Sequence, residues 1–322
     1  MDIEKLISIK PKRDEVKETP QIREWLDRFR EEREFDGIKK TTLRNDITRL
    51  RVFLSFVFIE IEKTPEITNN GDFVKFFNYL EKERKLQRNT LDKYFKLLKV
   101  FYRLMRLKNF SQFEEESKER KRYSKFEIKH YDSINADLIN QVLQKIIKSS
   151  SRTKLRDAVH IRFLWDTGAR LSESLNITYG DCDFNEGLFK LRDTKGSEER
   201  MVTCSSDTLE ALKHYCRFNV RQGPEDTIFQ TNKGGRIVKV GWIGQVFKST
   251  IDELKQEGKI PKNKRIVVHS LRHGRAVDLL DQGIPIEIVK EYLGHKSIET
   301  TLFYAHSKER QQKMIKDIKK ML

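Results

Sequence analysis

The chain has 322 residues, 37% of them hydrophobic and 35% charged, with only 15 Gly and 6 Pro; this suits one large domain or two ordinary ones and argues against wholesale disorder. A formal net charge of +16 suits a polyanionic partner, nucleic acid first and an anionic membrane surface second. No apolar run approaches the roughly 20 residues of a membrane span, MDIEKLISIKPKRDE lacks a signal-peptide core, and Cys182, Cys204 and Cys216 are too scattered for a disulfide framework or zinc cluster, so the chain reads as soluble, cytoplasmic and not membrane-bound.

In chain order, residues 1–110 are expected to form a helical first domain, with the helical pattern running from Thr19 to about Lys108. Thr19-Pro20 opens a first helix whose apolar face is Trp25, Leu26 and Phe29. A second, over 41–58, places Leu43, Ile47, Leu50, Leu54 and Phe58 at helical spacing. A third begins near Asp72, and a fourth spans 89–108. At about 100° per residue the fourth has Leu91, Tyr94, Phe95, Leu98, Phe101, Tyr102 and Met105 in one stripe. Lys93, Lys96, Lys99, Arg103 and Arg106 fall in another, diluted only by Asp92. A solvated face usually mixes acids with bases, so this stripe is a candidate for contact with DNA phosphates. Residues 111–133 are densely charged without a helical apolar period and read as a basic interdomain linker.

Residues 134–322 change character. Asn135 is placed to cap a helix through Leu143 and Ile147, and another runs from about Lys154 to Trp165. LFKLR and RMVTC read as two short strands joined by the turn 193–198, and a further helix starts near Trp242. Short helices punctuated by Gly283, Pro285 and Gly294 follow. The tail SKERQQKMIKDIKKML, 307–322, repeats Met314, Ile315, Ile318, Met321 and Leu322 at helical spacing and reads as an amphipathic helix that needs a groove, in its own protomer or a neighbour. The fold class is mostly α with a small antiparallel β-sheet.

Several groups in the second part suit one chemistry. TGARLSESL puts Arg170 and Glu173 three apart, and HSLRH does the same for His269 and Arg272. LGH places His295 after a glycine break, nine residues before Tyr304, and Lys195 lies in the hairpin turn. Two guanidiniums can hold the non-bridging oxygens of a phosphodiester and stabilise the charge that builds there in a displacement at phosphorus. Histidines move protons near neutral pH, a lysine can protonate a departing alkoxide, and a phenol can serve as nucleophile. Each residue also has an ordinary reading: Tyr304 as a helix core residue, Arg170 as a salt-bridge partner of Glu173, Lys195 as a solvated turn lysine. His269 and His273 have the i, i+4 spacing of a metal pair, but HSLRH holds an arginine between them and lacks a general-base glutamate after its first histidine, which disfavours a metal.

TGARLSESLNIT, HSLRH and LGHKSIETTLFYAH together resemble the boxes of the tyrosine site-specific recombinase family, phage-integrase type, and the likeness covers nearly the whole chain. It is greatest to compact Xer-type or archaeal and mobile-element members, since about eighteen residues before the first helix leave no room for an arm-binding domain. The resemblance implies a helical core-binding domain and an α+β catalytic domain that clamp double-stranded DNA from opposite sides. It implies catalytic roles for Arg170, Lys195, His269, Arg272, His295 and Tyr304, with Glu173 in support, no metal and no cofactor. It further implies strand exchange at a specific recombination site through a 3′-phosphotyrosine and a Holliday junction, within a tetramer. Lys190 lies near enough to compete with Lys195, and Gly274-Arg275 departs from the bulkier apolar or hydroxyl residue that often follows the His-x-x-Arg box. The alternatives are a topoisomerase-like enzyme or telomere resolvase of the same chemistry, and a non-catalytic DNA-binding protein on this scaffold.

Overall fold

The computed structural model describes residues 18–119, 131–192, 199–237, 241–295 and 319. The chain divides into two units, Met1–Ile128 and Lys129–Leu322, each with its own hydrophobic core.

In the first unit α1 is Pro20–Phe35, opened by Thr19, whose Oγ1 accepts from the Ile22 N–H at 3.3 Å while proline fills the first position, where its missing N–H costs nothing. Ile22, Trp25, Leu26 and Phe29 form its buried face. Helix α2, Lys40–Ser55, buries Leu43, Ile47, Leu50 and Leu54 as their spacing predicts. Phe58 does not continue that face. A π-helical turn over Phe56–Glu60 changes the phase, so Phe56 and Val57 enter the core and Phe58 is only half-buried. Helix α3, Asn70–Asn78, begins with a reciprocal box in which Asn69 and Asp72 each accept from the other's backbone N–H. Helix α4 is Arg88–Leu104. It ends four residues earlier than its pattern suggests because Arg106 adopts a left-handed φ of 59°.

The stretch expected as a linker starts differently: Ser111–Glu119 is a helix, α5. Its one large apolar residue, Phe113, is buried against Phe73, Phe77 and Phe110, and tertiary packing supplies what the segment's own periodicity lacks. Edge-to-face pairs such as Phe53–Phe76 (5.0 Å, 75°) and Phe73–Phe110 (4.9 Å, 89°) fill this core. Each fully buried Phe contributes about 1.5–3 kcal/mol from burial.

In the second unit α6, Ala136–Lys148, is capped by Asn135, whose Oδ1 accepts from the Leu138 N–H at 3.0 Å. Helix α7, Lys154–Thr167, is buried on nearly every side, which explains its weak amphipathic pattern. Its buried polar groups are paired: Arg156 with Asp157 at 2.8 Å, and His160 Nε2 with Ser174 Oγ at 2.7 Å. Burial, then the Arg156 charge, lowers the His160 pKa to about 3, so its ring is neutral.

A short helix, α8 (Leu171–Ser174), leads to a three-stranded antiparallel sheet, β1 (Cys182–Asp183), β2 (Leu188–Arg192) and β3 (Glu199–Thr203), in that spatial order. Leu191 pairs with Arg200 and Lys190 with Met201, and the inner face buries Phe189, Leu191 and Val202. The turn 193–198, with Lys195, lies outside the described residues.

Helix α9, Ser206–Cys216, has no counterpart in the sequence reading. Its signals are the Ser205 cap and the buried Thr208, Leu212 and Tyr215 at helical spacing. Helices α10 (Gly241–Gln256), α11 (His269–Asp281) and α12 (Ile286–Leu293) follow, and α7 packs against α6, α9, α10 and α11. Among the described residues no helix is long and apolar enough to cross a membrane. Tyr304 and the tail 307–322, apart from the helical and exposed Lys319, lie outside the described residues.

Candidate active site

Helix α7 ends at Gly168, with φ 59°. That left-handed backbone favours glycine, and a Cβ there would also press on the end of the Leu293 side chain from α12. The chain then delivers Arg170 as the residue before α8. The buried Glu173 carboxylate holds it twice: Oε2 accepts from the Arg170 backbone N–H at 2.8 Å and Oε1 from Nη1 at 2.5 Å. Arg170 Nη2 donates to the Gly294 carbonyl at 2.8 Å. The salt bridge that the spacing suggested is thus present, and it orients the guanidinium toward the far end of the chain. Burial alone would raise the Glu173 pKa, but hydrogen bonds and charge from Arg200, then those from Arg170, outweigh it and hold the carboxyl below its ordinary value.

Arg272, on α11, is 3% exposed. Its Nη1 donates to the Gly168 carbonyl at 2.8 Å and Nη2 to the Leu293 carbonyl at 2.5 Å. These carbonyls lie at the C-terminal ends of α7 and α12, where the helix dipoles are negative and favour a cation. Gly294 ends α12 with φ 67°, and His295 follows it into the interior. Burial first, then the charges of Arg272 and Arg170, push the His295 pKa down to about 3. The ring of His269 reaches solvent and stands 4.6 Å from that of His273. Crowding by surrounding atoms, then Arg272 and Arg170, lowers its pKa as well.

Five of the seven residues singled out around the phosphate chemistry, Arg170, Glu173, His269, Arg272 and His295, therefore come together. Two anchored guanidiniums beside imidazoles whose pKa values are held down make a positive cluster suited to an anion with two acceptor oxygens. Lys195 and Tyr304 lie outside the described residues. Lys190 sits on the outer face of β2, paired with Glu199 at 2.6 Å.

Sequence reasoning missed Arg200, which joins Arg170 at Glu173. A basic residue on the inward face of β3, in phase with Val202, was the available signal. The departure at Gly274 also has a physical reason: a Cβ there would lie 2.1 Å from the Ile134 carbonyl oxygen and 2.5 Å from the Trp165 ring.

On the first unit, Lys93, Lys96, Lys99, Arg103 and Arg106 are all exposed, the first four on α4 and Arg106 just beyond it. The stripe is less purely basic than its own helix indicates. Asp92 pairs with Lys96 at 2.7 Å, and Glu114, from α5, with Lys99 at 2.5 Å. Lys93 and Arg103 take no part in these two pairs. If the stripe lies on phosphates, replacing Lys93, Lys96 and Arg103 with Gln will weaken DNA binding and lower the log–log salt slope by roughly one unit per lost contact. An unchanged slope would assign these side chains to solvent.

Residues 134–311 match the phage integrase family, and residues 25–112 match the phage integrase N-terminal SAM-like domain. The chain is 57% identical over 321 residues to a probable integrase/recombinase protein of Methanocaldococcus jannaschii, covering 99% of this chain and 97% of that one. It is 28% identical over 278 residues to the tyrosine recombinase XerA of Saccharolobus solfataricus, covering 84% of each. Its fold is similar to that of lambda integrase, solved as a tetramer bound to a Holliday junction, with a TM-score of 0.66 at 17% identity over 88% of this chain and 76% of that one. With a family match over more than half its length and a relative of such identity along nearly all of it, the chain belongs to the phage integrase family and is a tyrosine site-specific recombinase.

Proposed function

We propose that the protein cleaves and rejoins double-stranded DNA at a specific recombination site through a 3′-phosphotyrosine on Tyr304. The observation that carries this reading is the convergence of Arg170, Arg272 and His295 on the Gly294 break, ten residues before Tyr304. The two guanidiniums would bind the non-bridging oxygens of the scissile phosphate, where charge grows in the transition state. His295, neutral in the free protein, would donate a hydrogen bond to the same group. The Tyr304 phenol oxygen would attack phosphorus while its proton passes toward His269, and the P–O5′ bond would break. Lys195 would give a proton to the departing 5′ oxygen. The new ester conserves the energy of the broken diester, so a partner strand's 5′-hydroxyl can reverse the step without nucleotide or metal.

Two such exchanges, separated by a Holliday junction, would complete recombination within a tetramer. The lambda integrase tetramer supports that assembly by its fold alone. Footprinting on DNA flanking the gene would locate the site, and a nicked duplex carrying it would trap the cleaved state. The expected result is a covalent protein–DNA band with the phosphate at the 3′ end. Tight binding without that band would mean a DNA-binding protein that does not cleave. A band without exchange between two sites would point to topoisomerase-like or telomere-resolving chemistry.

A further inference from the structure

Arg200 stands behind the constellation. It lies on β3 opposite Leu191, on the sheet face that Phe189, Leu191 and Val202 bury, and its side chain is 12% exposed. A cation in that position needs partners, and each of the three guanidinium nitrogens has one. Nη1 donates to Glu173 Oε1 at 3.1 Å, Nη2 to Glu173 Oε2 at 2.7 Å, and Nε to the Tyr292 carbonyl at 3.0 Å. The guanidinium also packs on Gly294, where a Cβ would lie 3.0 Å from Nη1.

Each contact reaches the site in one step. Glu173 holds both the backbone and the guanidinium of Arg170. The Tyr292 carbonyl and Gly294 belong to the last turn of α12 and its cap, which present His295 and supply the carbonyls that anchor Arg170 and Arg272. One planar side chain therefore ties the sheet, the arginine box and the α12 terminus together. A lysine would keep the charge but could not bridge two carboxylate oxygens and a carbonyl in one plane.

We propose that Arg200 is a positioning residue for strand cleavage, fixing Arg170 through Glu173 and His295 through the α12 terminus so that both face one phosphate. This rests on the cleavage reading given above. The test uses the full chain, comparing single-turnover rates of covalent-adduct formation with DNA affinity. Arg200→Met should slow adduct formation on the order of 100-fold, the scale expected for a misplaced catalytic group, while Kd shifts by no more than about threefold because no phosphate-binding group is removed.

Glu173→Gln should act through the same link. The double variant should therefore be no more than about threefold slower than the slower single variant. A merely structural arginine would instead give multiplying effects and lost affinity as the folded fraction falls. If Arg200→Met does not fold, Arg200→Lys carries the test. It should bind DNA normally, melt near the parent and still lose on the order of tenfold in rate. Normal cleavage by Arg200→Met, normal cleavage by folded Arg200→Lys, or multiplying effects in the double variant would each overturn the proposal. Should the parent chain itself form no adduct, the cleavage reading falls and the role of Arg200 falls with it. A normal parent beside an unaffected Arg200 variant removes the Arg200 claim alone.

Discussion

Tyr304→Phe is expected to bind its DNA site and form no covalent adduct. The change removes one oxygen and leaves the ring, so packing that depends on the aromatic body is retained. The loss in affinity should not exceed that of one neutral hydrogen bond, about 1 kcal/mol or roughly fivefold in Kd. Cleavage behaves differently because no phosphotyrosine can form without the phenol oxygen. Electrophoresis of a nicked substrate under denaturing conditions, alongside native binding measurements, separates the two effects. An adduct that persists in Tyr304→Phe would identify another nucleophile.

Arg272→Ala should reduce cleavage by several orders of magnitude. Loss of a preorganised donor to a developing oxyanion costs about 3 kcal/mol or more, at least about a hundredfold in rate. The geometry of Arg272 adds a second cost. Its Nη groups satisfy the carbonyls of Gly168 and Leu293, so truncation takes a donor from each of two helix ends. A buried polar group that loses its partner costs about 1–3 kcal/mol, so the melting temperature should fall as well. Rates must therefore be taken where the variant is folded, as judged by its melting curve. Near-normal cleavage by folded Arg272→Ala would rule out its place at the phosphate.

Local chemistry carried a good part of the fold into the sequence. The Thr19-Pro20 start, the Asn135 cap and the buried stripe of α4 follow from capping and periodicity, and the structure has all three. The π turn after Ser55 and helix α5 at Ser111 escaped because tertiary packing decides them, through Phe56, Val57 and Phe113. The same limit applies to the site. Arg170 and Glu173 are three residues apart and could be placed on one turn, whereas Arg170 and the Gly294 carbonyl are separated by 124 positions. No spacing rule joins them, and family resemblance supplied that link. It offered no hint of Arg200, whose meaning depends on the register that sets it opposite Leu191 and beneath the α12 terminus. The ion pair of Lys99 with Glu114 was hidden for the same reason, since its partner comes from another helix.

If the cluster of Arg170, Arg272 and His295 serves a nucleophile at Tyr304, that residue must carry the cleaved strand. The most direct measurement is to trap the covalent complex on a nicked duplex, digest it with protease and nuclease, and sequence the modified peptide by mass spectrometry. The expected product is a nucleotide 3′-phosphate on Tyr304, with a free 5′-hydroxyl on the released strand. A modified residue other than Tyr304, or linkage through a 5′-phosphate, would contradict it.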